Sequence, residues 1–147
     1  MKRVIVSACL LGLKVRYDAL SKENKELISL MNEFEFVPVC PEVFGGLPTP
    51  RFPSEINGEK VINKEGVDVT SNYLRGAEET LRLCRLYECD TVVLKSKSPS
   101  CGKGLIYDGT FTGNLVNGNG VTTDLLLKNG IKVYTEDEFI NEYKQRV

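Results

Sequence analysis

Thr91-Val92-Val93-Leu94 runs straight into Lys95-Ser96-Lys97-Ser98-Pro99-Ser100-Cys101-Gly102-Lys103-Gly104. The first four residues are apolar and β-branched, the composition of a buried strand. Pro99 has no N–H to give a central strand, and Gly102 and Gly104 permit left-handed or closely packed backbone. The stretch therefore predicts a strand whose carboxyl end opens into a rigid loop carrying hydroxyls, a thiol and free N–H groups. In open α/β sheets, ligands bind at such strand ends.

Two other strand ends have the same character. Val4-Ile5-Val6-Ser7 leads to Ala8-Cys9, and Phe36-Val37-Pro38-Val39 leads to Cys40-Pro41-Glu42. Pro38 inside the second run marks an edge strand. Three strand ends thus finish in a cysteine, and in a parallel sheet all such ends share one edge.

Between them the pattern alternates with helices. Ser21 is a candidate cap for a helix over 22–32 with Leu27, Ile28, Leu30 and Met31 on its apolar side. Leu74, Ala77, Leu81, Cys84 and Leu86 give a second apolar stripe over 71–87. Asn57-Gly58 predicts a hairpin within 55–63, and Asp108-Gly109 another within 106–113. Asn117-Gly118-Asn119-Gly120 reads as a turn, Thr122 as the cap of a helix over 123–128, and 131–134 as a last strand. Thr135-Glu136-Asp137-Glu138 carries the capping-box pattern of a closing helix. Gly45 to Pro53, with three prolines and two glycines, follows an irregular path that neither sheet nor helix tolerates. It lies directly after Cys40 and Glu42, where a lid would lie. The expected architecture is a small three-layer α/β sandwich with a mainly parallel, Rossmann-like sheet, one domain over residues 1–147.

Composition narrows the chemistry. The chain has 147 residues, a formal net charge of −1, five cysteines and no histidine. The charge gives no global bias toward nucleic acid or a membrane surface. No apolar run approaches the roughly 20 residues that span a bilayer, and the N-terminal run reads as a strand rather than a secretory signal. A cytoplasmic protein is expected, in which cysteines serve thiol or metal chemistry rather than disulfides. Without histidine there is no Ser-His-Asp or Cys-His catalysis, and acid–base work falls to carboxylates, lysines, tyrosines or cysteines. A transition-metal site would rest on thiolates, which suit zinc, copper(I) or iron–sulfur clusters. Cys9, Cys40 and Cys101 are its candidate ligands; zinc with an open position and a three-cysteine [4Fe-4S] cluster both remain possible on spacing alone. Cys84 and Cys89 read as core thiols. Glu42 lies two residues beyond Cys40, beside a candidate ligand. Arg51 is a candidate for holding an anionic or carbonyl group, and Ser98, Ser100 and Lys95 flank the third thiol.

Ser7-Ala8-Cys9-Leu10-Leu11-Gly12 with Arg16-Tyr17-Asp18, Val39-Cys40-Pro41-Glu42-Val43 through Gly45-Gly46-Leu47-Pro48-Thr49-Pro50-Arg51, and Lys95 with Ser98-Pro99-Ser100-Cys101-Gly102 and Ile106-Tyr107-Asp108-Gly109-Thr110-Phe111 form three long motifs. Gly66, Asp68-Val69-Thr70, Gly76-Ala77 and Gly120-Val121-Thr122 fit the same pattern. On these residues the chain resembles the compact bacterial family of TudS-type 2-thiouracil desulfidases, formerly known only as a domain of unknown function. The resemblance implies an oxygen-sensitive [4Fe-4S] enzyme with the cluster on Cys9, Cys40 and Cys101. It implies a substrate that is a thiolated nucleobase or nucleoside, with sulfur leaving as hydrosulfide and C=S replaced by C=O without net redox change. Catalytic help is implied for Glu42 and Ser98; Ser100, Arg51 and Lys95 are substrate-binding candidates from their own chemistry and position. The alternatives are a non-catalytic sulfur carrier or cluster-binding module, which the carboxylate beside the site argues against, and a zinc-thiolate structural protein, which visible absorption of the metallated protein would exclude. Lys95, Lys97 and Lys103 offer local positive charge, but no stacking aromatics flank the loop in sequence. A free base or nucleoside is therefore expected ahead of RNA.

Overall fold

The computed structural model describes residues 1–144; residues 145–147 of the expected domain lie outside the described residues. In chain order the elements are β1 (Lys2–Ser7), a 3-10 turn (Ala8–Leu11), α1 (Lys25–Ile28) continued by a 3-10 turn (Ser29–Asn32), β2 (Phe34–Val39) and α2 (Pro41–Phe44). There follow β3 (Ser54–Asn57), β4 (Lys60–Asn63), α3 (Thr70–Leu86), β5 (Thr91–Leu94), β6 (Leu105–Tyr107), β7 (Leu115–Asn117), α4 (Val121–Lys128), β8 (Lys132–Thr135) and α5 (Glu136–Lys144).

Four strands form one parallel sheet in the order β2-β1-β5-β8. Val4, Ile5 and Val6 of β1 and Val92, Val93 and Leu94 of β5 are fully buried, because helices cover both faces and leave no polar side to alternate with. Val4, Val6 and Val93 face one layer with Leu27 and Leu30 from α1 and its extension and Phe139 and Ile140 of α5. Ile5, Val92 and Leu94 face the other, with Leu81 and Cys84 of α3 and Leu126 of α4. Phe139 is the centre of the first layer, its ring centroid 4.5 Å from Tyr143, 5.2 Å from Phe34 and 5.5 Å from Tyr134. The sandwich expected from sequence is thus the fold, and Pro38 lies on an edge strand. No helix among the described residues is long and apolar enough to cross a membrane.

From β1 the chain steps outward to β2, then returns past β1 to form β5 on its other side. The strand order reverses between β1 and β5, and the crevice beyond their carboxyl ends is where a sheet of this kind binds ligands. The two antiparallel hairpins, β3–β4 and β6–β7, lie outside the sheet.

Some local expectations change. The helix expected over 22–32 is only one α-turn followed by a 3-10 turn, capped by Asn24, whose side chain accepts from Leu27 N. Ser21 is therefore not the cap. The hairpin expected to turn tightly on Asp108-Gly109 closes instead through 108–114. Asp108 Oδ1 accepts from Thr110 N at 3.0 Å and Thr110 Oγ1 at 2.6 Å, a local turn that competes with pairing. Gly120, not Thr122, stands at the start of α4. The closing capping box is present: Thr135 N donates to Glu138 Oε1 at 2.9 Å and Glu138 N to Thr135 Oγ1 at 3.2 Å.

Candidate active site

Each strand-end cysteine is held by its own local device. Cys9 sits in the 3-10 turn after β1, which ends on Gly12 at φ 98 with its N–H on the Ala8 and Cys9 carbonyls. Cys40 is extended at the start of α2, where Pro41 occupies the first helical position, the place where its missing N–H costs nothing. Cys101 lies in the loop after β5, its N–H donating to Ser98 Oγ at 2.7 Å and its carbonyl accepting from Thr123 Oγ1 at 2.8 Å. Beside it, Val121 N, Thr122 N and Gly120 N donate to the carbonyls of Pro99, Ser100 and Gly102. The amino end of α4 thus clamps the loop. All three cysteines line one cavity of about 580 Å³ at the carboxyl edge of the sheet. Cys84 and Cys89 do not; they lie in the core, and Cys89 Sγ is 3.2 Å from the carbonyls of Arg3 and Thr91.

Glu42, Arg51, Lys95 and Ser98 line the same cavity. The short helix α2 follows Cys40 at once, so Glu42 rides on the same turn as a thiol. Arg51, with only 5% of its side chain exposed, donates from Nη2 to Glu42 Oε2 at 2.9 Å and from Nη1 to Pro48 O and Thr49 Oγ1 at 3.2 Å. Its guanidinium is already committed to Glu42 and its own loop. Lys95 Nζ lies 3.3 Å from buried Glu136 and donates to Ser96. Ser98 Oγ accepts from Cys101 N, which leaves its hydroxyl proton available to a molecule in the cavity. Ser100 is placed differently. It is 1% exposed and absent from the cavity wall, its hydroxyl 2.8 Å from that of Thr122. Ser100→Ala is expected to cost about 1–3 kcal/mol of stability, because Thr122 loses its buried partner. Urea unfolding of the metal-free protein measures this.

The electrostatics couple these groups. Burial pushes the Cys9 thiol up to about 11, the charges of Glu42 and Cys40 add to it, and Lys95 and Arg16 oppose it. Burial and then Glu42 raise Cys40. Burial raises Cys101 furthest, with Glu42 adding and a hydrogen bond from Ser100 opposing. Burial and the neighbouring negative charges oppose ionisation of these thiols, and a bound cationic centre is what deprotonates such groups. Among the described residues no group of three histidine, cysteine, aspartate or glutamate side chains is gathered to hold a single metal ion. An iron–sulfur cluster instead takes each thiolate on a different iron, and an all-thiol donor set matches its chemistry.

Sequence order conceals the aromatic part of the wall. Tyr17, Phe52, Tyr73, Tyr107 and Phe111 all line the cavity, although none adjoins the Cys101 loop in sequence. They arrive from the segments after β1 and before β3, from α3 and from the β6–β7 hairpin. The expectation of no stacking aromatics near the loop is corrected here. The one signal available was Ile106 to Phe111 within the third motif.

Residues 4–138 match the family model described as 2-thiouracil desulfurase. An uncharacterized protein of Bacillus subtilis (strain 168), YbbK, is 39% identical over 145 residues, covering 92% of this chain and 96% of that protein. A solved structure described as the [4Fe-4S]-dependent thiouracil desulfidase TudS superposes with a TM-score of 0.90 at 46% identity, covering 100% of both chains.

Proposed function

This chain belongs to the 2-thiouracil desulfurase family, and from that premise we propose that it is a [4Fe-4S]-dependent desulfidase of thiolated pyrimidines. Cys9, Cys40 and Cys101 hold the cluster. The substrate is a small thiolated nucleobase or nucleoside, the sulfur leaves as hydrosulfide, and water supplies the oxygen that replaces it. The observation that carries this reading is the convergence of three of the five cysteines, with Glu42, on one cavity at the sheet's carboxyl edge.

When bound through three cysteines, such a cluster supplies a thiophilic Lewis acid with one iron free of protein ligands. The chain's own residues supply the rest. Glu42 is the group that takes a proton from water as its oxygen bonds to the ring carbon, and returns one as the carbon–sulfur bond breaks. The balance is 2-thiouracil plus water to uracil plus hydrogen sulfide, with no electrons exchanged. Arg51 keeps Glu42 in one orientation, a role that replaces direct substrate contact. The Ser98 hydroxyl donates to a ring heteroatom, while Ser100 supports the Cys101 loop from inside. Lys95, tied to Glu136, places a positive charge beside the thiolates.

The test is anaerobic reconstitution with iron and sulfide of the wild type and of Cys9→Ala, Cys40→Ala, Cys101→Ala, Cys84→Ala and Cys89→Ala. The wild type, Cys84→Ala and Cys89→Ala are expected to bind about four irons per chain and to release hydrosulfide from 2-thiouracil. The other three are expected to lose the cluster's visible absorption. A wild type that binds no iron under these conditions overturns the reading.

A further inference from the structure

One wall of the cavity belongs neither to the sheet nor to the turns that carry the thiols. It is built from β3 and from segment 108–114, which joins β6 to β7. Phe111 lies in that segment at φ 58, a left-handed conformation that is unfavourable for a residue with a side chain. Three devices hold it there. Glu55, buried and itself lining the cavity, accepts through Oε1 from Gly109 N at 2.9 Å and from Phe111 N at 3.2 Å. Asp108 fixes the preceding residue by accepting from Thr110 N and Oγ1. Gly109, at φ 95, sits so close to β3 that a Cβ there would meet Ile56 O at 2.8 Å.

A loop joining two three-residue strands needs none of this merely to turn. Strain that the surroundings over-determine is characteristic of functional walls. Lys97, another non-glycine residue with positive φ, at 71, lines the same cavity and is bridged to Ile106 of the same hairpin. Phe111 is partly exposed, and it shares the cavity with Phe52 and Tyr17. The roles proposed above, proton transfer and hydrogen bonding, act in a ring's plane, whereas its face needs an apolar or aromatic neighbour.

We propose that Phe111 is a specificity-determining residue that stacks on the face of the substrate's planar heterocycle, and that Glu55 is the residue positioning it. The inference rests on the thiopyrimidine reading. A stacked aromatic favours flat rings, thiolated or not, over open-chain thioamides and thioureas.

The test uses reconstituted wild type, Phe111→Gly, Phe111→Tyr, Glu55→Ala and the Phe111→Gly/Glu55→Ala double variant. It reads KM and kcat for 2-thiouracil, inhibition by sulfur-free uracil, iron content and Tm. Phe111→Gly is expected to raise KM about 10- to 100-fold and to weaken uracil inhibition by the same factor. Iron content stays at the wild-type level, and Tm stays within about 3 °C because glycine adopts this φ freely. Phe111→Tyr keeps the ring and is expected to stay within about threefold of wild type. Glu55→Ala reproduces the rise in KM, and in the double variant it adds nothing further, because its effect runs through Phe111. An unchanged KM and unchanged uracil inhibition in Phe111→Gly overturn the proposal, as does a fall in kcat alone. A wild type that binds the cluster and releases no hydrosulfide overturns the functional reading and this inference with it. A working wild type beside an indifferent glycine variant overturns the stacking alone.

Discussion

Glu42→Gln is expected to keep its iron and lose turnover by about a hundredfold to ten-thousandfold, the usual worth of a positioned acid–base group. Glutamine has the same shape, and its amide oxygen still accepts from Arg51 Nη2, 2.9 Å from the carboxylate in the native protein. The turn that carries Cys40 is therefore undisturbed. What is lost is the ability to accept a proton from water. Iron per chain and kcat on 2-thiouracil, measured on the same preparation, check the prediction. Full activity in a variant with a full cluster removes Glu42 from the chemistry. A variant without iron would show that the carboxylate serves the cluster rather than the substrate.

Gly76→Ala has the largest effect expected on the scaffold. A Cβ at Gly76 would run into the carbonyl oxygen of Pro41, and one at Gly45 into that of Asn72. Both obstacles are backbone, so no rotamer change relieves them. Helices α2 and α3 touch main chain to main chain, and Asn72 Nδ2 ties them by donating to Gly45 O at 2.8 Å. Overpacking typically costs about 1–3 kcal/mol and more where backbone must move. At the upper end this lowers Tm by on the order of 10 °C for a chain of this size. Because α2 carries Glu42 and begins at Cys40, the displacement also disturbs the site. Gly76→Ala is expected to show a lower Tm and reduced iron uptake together. Thermal unfolding of the metal-free protein and iron content after reconstitution check both; a variant with wild-type Tm contradicts the close approach.

What the sequence revealed was what adjacent residues decide. β5 is the predicted Thr91–Leu94, Pro38 marks the sheet edge, and Thr135 and Glu138 close their capping box. The strand-end cysteines line one cavity because parallel strands share one carboxyl edge, and that inference needs no side-chain detail. The parts hidden from sequence depend on non-local packing or on competing turns. Pro41 starts a single helical turn too short to show periodicity. Ser98 and Ser100 look equivalent in the chain, yet α4 draws only Ser100 inward, onto Thr122. Arg51 finds Glu42 across a loop, so its role is set by the path of residues 45–53. The aromatic wall comes from four separate segments, and only the folded chain brings them together.

The clamp of α4 on the Cys101 loop also sets an order of assembly. Cys9 and Cys40 come to one edge as soon as β1 and β2 pair and α2 has formed. Cys101 is made later; Ser98 holds its N–H locally, but its carbonyl and those of Pro99, Ser100 and Gly102 are held by residues 120–123. Synthesis proceeds from the N-terminus at about 5–20 residues per second, so on the order of ten seconds separate the making of Cys40 from that of the residues that clamp the Cys101 loop. On the proposed ligand set, only two of the three thiols are available before that point. On the ligand set proposed above, insertion of the cofactor belongs after residues 120–123 have been made.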